Sequence, residues 1–88
     1  MSEHHDAADA VGTVTHYFTH LSVAAVALHE PLGVGQRIHI RGHTTDLVQT
    51  VVSMEVDHRH VERAGPGDDV ALKVDDHVRE HDLLFREP

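Results

Sequence analysis

From about Ala10 onward the chain is a succession of short β-type segments cut by turn signals, and this pattern restricts the fold more than any other feature. The first segment, residues 11–18, is rich in β-branched and aromatic side chains, which fit a pleated surface. Arg37-Ile38-His39-Ile40-Arg41 alternates cleanly, with both isoleucines on one face. Val70, Leu72 and Val74 repeat that alternation, and Leu83-Leu84-Phe85 makes a short closing strand. Residues 47–56 read as the longest strand. Val48, Thr50, Val52, Met54 and Val56 share one face there, and Leu47, Gln49, Val51, Ser53 and Glu55 the other. Residues 21–28 are apolar on both alternating faces. A helix competes there because alanine favours it, but the segment is short and lies between two strand patterns. Turns fall at residues 30–35, at 42–46 and, most strongly, at Ala64-Gly65-Pro66-Gly67-Asp68, and residues 75–82 read as a surface loop. The expected fold is all-β: a small closed antiparallel barrel of six or seven strands, whose closure removes exposed edges.

A chain of 88 residues allows one small domain, taken as residues 10–88 behind a disordered acidic tail at 1–9. Aromatics make up only 3%, so Val, Leu, Ile and Ala must build the core. Cysteine is absent, which removes disulfides, thiolate zinc sites and cysteine nucleophiles. No apolar run approaches 18 residues, and the first six residues lack the basic and apolar regions of a signal peptide, so the expected location is cytoplasmic with no membrane partner. The formal charge of −8 opposes non-specific nucleic-acid and anionic-membrane binding. Eleven histidines stand against that charge, and protonating all of them would reverse its sign, which suits either solvated surface positions or a pH-responsive role.

Catalytic chemistry finds little support. Ser22 and Ser53 lie within segments read as strands, Ser2 lies in the tail, and none sits in a nucleophile elbow. The adjacent carboxylates Asp68-Asp69 and Asp75-Asp76 would point apart. The chain is therefore expected not to be an enzyme and to need no cofactor. A metal site is the sharper alternative. In extended backbone His58 and His60 would share a face with Cα atoms about 6.6–6.8 Å apart, a spacing that suits two ligands of one Zn²⁺. His16 and His20, His39 and His43, and His77 and His81 form further pairs four apart. A third class is protein docking or homo-oligomerisation, for which Val23, Ala25, Leu47 and Val51 are the outward apolar candidates.

Taken in order, Val11-Gly12-Thr13-Val14, Leu32-Gly33-Val34-Gly35-Gln36-Arg37-Ile38, Thr50-Val51-Val52-Ser53-Met54-Glu55-Val56 and residues 61–74 around Ala64-Gly65-Pro66-Gly67-Asp68 carry a family resemblance. Over roughly residues 10–86 the chain resembles the β-barrel second domain of translational GTPases such as elongation factor Tu. Gly42-His43-Thr44-Thr45-Asp46 is similar to short stand-alone elongation-factor-like proteins, and a similar barrel extends some collagenase-like peptidases at their C-terminus. The resemblance implies a stand-alone binding module linked to translation, with a protein or RNA partner. It also implies contact with the aminoacyl end of tRNA through Glu55, with His58 and Arg59 near the position of the family's arginine. The chain has no GxxxxGK[ST] loop, so GTP binding by that device is absent. The family's glycine in the first hairpin is missing from residues 16–20, and His81-Asp82 replaces the one before the last strand.

Overall fold

The computed structural model describes residues 9–88, so the expected tail lies outside the described residues except for Asp9. Ten short strands follow in order: β1 Gly12–Phe18, β2 Val23–Leu28, β3 Leu32–Gly33, β4 Arg37–Arg41, β5 Asp46–Thr50, β6 Met54–Val56, β7 Arg59–His60, β8 Arg63–Ala64, β9 Asp69–Lys73 and β10 Leu83–Arg86. Eight of them form one antiparallel sheet in the order β5-β4-β10-β1-β2-β9-β6-β7, and β3 pairs with β8 separately. The domain is all-β, and its large sheet curls into a half-barrel.

Two expectations change here. Among the described residues the strands number ten rather than six or seven, and β5 and β7 at the two ends of the sheet are not paired with each other, so the main-chain ladder does not close. The concave side is filled by Val14, Val26, Leu32, Ile38, Ile40, Val51, Met54, Leu72 and Leu84, all nearly inaccessible to solvent. Burial of this aliphatic area is the main stabilising term for so small a domain.

The long strand expected at residues 47–56 is broken into β5 and β6. Its faces are also reassigned. Gln49 and Val51 are buried and Leu47 packs against the core, while Val48 and Val52 face solvent. The cause is polar rather than apolar. The Gln49 side chain donates from Nε2 to the Lys73 carbonyl (3.0 Å), and its Oε1 accepts the Asp75 N–H (2.8 Å). An amide that pairs with two backbone groups is at home inside. It ties β5 to the end of β9 across the gap in the sheet.

The loop at residues 75–82 is less superficial than expected, because Val78 is fully buried and Asp82 almost so. Asp82 Oδ2 accepts the Arg79 N–H (2.8 Å), and its carboxylate lies against Gly42, where any Cβ would overlap Asp82 Oδ1. His81, where the resemblance expected a glycine, adopts φ 75°. Strands form within the segments expected at residues 21–28, 37–41 and 83–85, although β2 starts only at Val23 because Leu21 and Ser22 belong to the turn before it, and the turn at Gly65 to Asp68 forms with Gly67 at φ 90°.

Candidate functional site

On the convex side of the sheet lies a groove of about 480 Å³, lined by Phe18, Leu21, Val23, Ser53, Glu55, His58, Ala71 and Lys73. Three local features build it. The first is a β-bulge between Val14 and His16 in β1. An added residue flips the side-chain alternation. Val14 and Tyr17 therefore face the core, while His16 and Phe18 turn outward, with their rings edge-on at 4.5 Å.

The second is the β1–β2 connection. Its turn is held by the Leu21 N–H donating to the Phe18 carbonyl (3.1 Å), with Ser22 at φ 54°. This geometry leaves Leu21 60% exposed and Phe18 42% exposed, beside outward Val23. Lys73, opposite Val23 on β9, reaches back so that Nζ donates to the Leu21 carbonyl (3.2 Å).

The third is the β6–β7 hairpin. Its two central residues, Asp57 and His58, both have positive φ (51° and 65°). That is the two-residue connection whose twist matches paired strands. Glu55, opposite Ala71 in the β6–β9 ladder and His60 in the β6–β7 ladder, projects outward with Oε2 3.5 Å from His60 Nε2.

The residues singled out from sequence divide accordingly. Glu55, His58 and Val23 meet in the groove. Ala25 is outward one step along β2, opposite Ala71, and Arg59 is exposed on β7 outside the groove. Leu47 and Val51 are corrected as docking candidates, because Val51 is buried in the core and Leu47 packs against it. The extended geometry that would bring His58 and His60 onto one metal is not formed, since His58 sits in a left-handed turn. Among the described residues no three His, Asp or Glu side chains group to hold a metal ion. Other histidines have local partners instead: His39 with Asp46 (2.5 Å), His16 with Glu80 (3.4 Å) and His77 against the Tyr17 ring. Ser53, Glu55 and His58 share the groove, yet among the described residues no hydrogen bond joins Ser53 to His58. Sequence reading missed Phe18, Ser53, Ala71 and Lys73 as members of the groove. One signal for them was present: Lys73 is the chain's single lysine.

A curled antiparallel half-barrel with an apolar groove on its convex face is the class of domain that these observations define. No family model matches the chain. It is 38% identical over 76 residues to the uncharacterized protease MJ0090 of Methanocaldococcus jannaschii, which covers 85% of this chain and 19% of that protein. Among solved structures, the C-terminal domain of a Geobacillus thermoleovorans protein assigned to the U32 peptidases superposes with a TM-score of 0.88 at 16% identity, covering 98% of this chain and all of that one. Its selenomethionine variant gives 0.82 at 17% identity over 89% of this chain. These matches overturn the resemblance to the second domain of translational GTPases and, with it, the translation-linked module and the tRNA-end role drawn for Glu55, His58 and Arg59. Among the described residues no helix is long and apolar enough to cross a membrane.

Proposed function

We propose that this half-barrel is a non-catalytic accessory domain that works with a peptidase of the U32 type and holds protein substrate for it. The observation that carries the reading is the 38% identity with one segment, 19% of the length, of an uncharacterized protease. A segment of that size is a module of the larger protein, and the match in fold to a peptidase's C-terminal domain agrees with that. The groove supplies a surface for the role, since Leu21 and Phe18 keep exposed apolar area there. A nucleophile needs a base within hydrogen-bonding reach, and among the described residues no base is hydrogen-bonded to Ser53. Residues 10–88 act as one unit in this reading.

The test compares casein hydrolysis by the catalytic region of a U32-type peptidase alone and joined to this chain. Tethering a binding surface raises the local substrate concentration. The expected result is a severalfold lower KM with kcat little changed, and no cleavage by this chain alone. An unchanged KM, or casein cleavage by the 88-residue chain itself, would overturn the reading.

A further inference from the structure

We propose that the groove binds the free C-terminal carboxylate of an extended peptide whose last side chain is apolar, with Lys73 as the counter-ion. The proposal rests on the accessory-domain reading only for its choice of a peptide over another carboxylate.

The first argument is the state of Lys73. It is the single lysine in a chain with fifteen acidic residues. Among the described residues its ammonium makes no ion pair, and that group's one hydrogen bond is to the Leu21 carbonyl at 3.2 Å. An ammonium has three donors, so two remain to be used at the groove. In a molecule of charge −8, a cation held in place yet left without a carboxylate is a complementary site for one.

The second argument is what surrounds it. Leu21, Phe18, Val23 and Ala71 line the same groove as the ammonium and supply apolar surface beside it. A charge beside an apolar wall matches a ligand with an anionic head next to an apolar body. The volume, about 480 Å³, falls in the range of small-ligand sites and suits the end of a chain rather than a folded surface. The third argument is Glu55, which lines the same groove and lies 3.5 Å from His60. A second negative charge on the ligand would meet it, whereas a peptide N–H would donate to it. One terminal carboxylate with amide donors upstream satisfies both ends. Cleavage of a peptide bond creates such a terminus: water adds across the C–N bond, leaving a carboxylate on one fragment and an amine on the other.

The experiment measures fluorescence anisotropy of the 88-residue chain with an N-terminally labelled hexapeptide ending in leucine, as free acid and as C-terminal amide. Decanoate serves as a non-peptide carboxylate. The expected result is binding of the free acid with the amide about tenfold or more weaker. Lys73→Met abolishes that preference, Lys73→Arg keeps most of it, and Leu21→Ser weakens acid and amide alike. Both side chains are outward, and urea midpoints of the variants verify that they remain folded. Equal binding of acid and amide overturns the proposal, as does a preference that survives Lys73→Met. Binding of decanoate without binding of the peptide also overturns it and makes the groove a fatty-acid site. The assay contains no peptidase, so an acid preference with an unchanged KM in the casein test sinks the accessory reading alone, and the reverse pair of results sinks this proposal alone.

Discussion

The two faces of β2 and β9 are made from similar residues and put to different uses. Inward, Ala24, Val26, Val70 and Leu72 are packed out of reach of solvent. Outward, Val23, Ala25 and Ala71 are only half-buried, and Lys73 follows them at the strand's end. The inner face is complete in the monomer, since aliphatic side chains from opposing strands meet there. The outer face is incomplete: it has apolar surface and a cation that no carboxylate pairs among the described residues. Alternation in a strand separates stability from recognition at a spacing of one residue. A change on one face should therefore leave the other nearly untouched.

The largest effect is expected from Leu72→Ala, which empties the centre of the inner face. The cost is about 2–5 kcal/mol, as for other buried leucines, read as a fall in the urea midpoint at unchanged slope. Leu21→Ser, on the outer face, is expected to change stability by less than about 0.5 kcal/mol while weakening peptide binding. A large loss of stability in Leu21→Ser, or peptide binding lost through Leu72→Ala in chains that remain folded, would break the division between the faces.

A second comparison sharpens the first. Gln49 and Lys73 are both polar residues on neighbouring parts of the curl, but Gln49 is buried and satisfied, bonding the Lys73 carbonyl and the Asp75 N–H. Gln49→Leu should cost about 1–3 kcal/mol, because it strands two backbone groups. The Lys73 side chain lies outward, so peptide affinity should hold. A midpoint equal to that of the unchanged chain would mean that Gln49 does not tie β5 to β9.

The same residues mark how far sequence carries. Strands β2, β4, β9 and β10 were legible because their apolar residues alternate or run in short blocks. Residues 47–56 were not, because the inward position at 49 is filled by an amide whose partners lie 24 and 26 residues away. The resemblance to translation-factor barrels rested on turns such as Ala64-Gly65-Pro66-Gly67-Asp68, and turns of that kind specify how a small sheet curls. They carry no site, and fold alone does not give function. Of the groove, Val23, Glu55 and His58 were visible as outward or polar residues. Phe18 was not, since its outward face depends on a bulge in β1.

The smallest effect expected is a gain. His58 occupies the second central position of the β6–β7 hairpin at φ 65°. A left-handed conformation costs a residue with a Cβ about 1–2 kcal/mol, while glycine adopts it freely but loses about 0.5–1 kcal/mol of chain entropy on folding. His58→Gly should therefore raise stability by up to about 1 kcal/mol, and it creates the Asp-Gly pair favoured in such hairpins. The imidazole has no hydrogen bond to forfeit among the described residues. A lowered urea midpoint would show instead that the ring, from its place on the groove wall, supports the fold as well as the site.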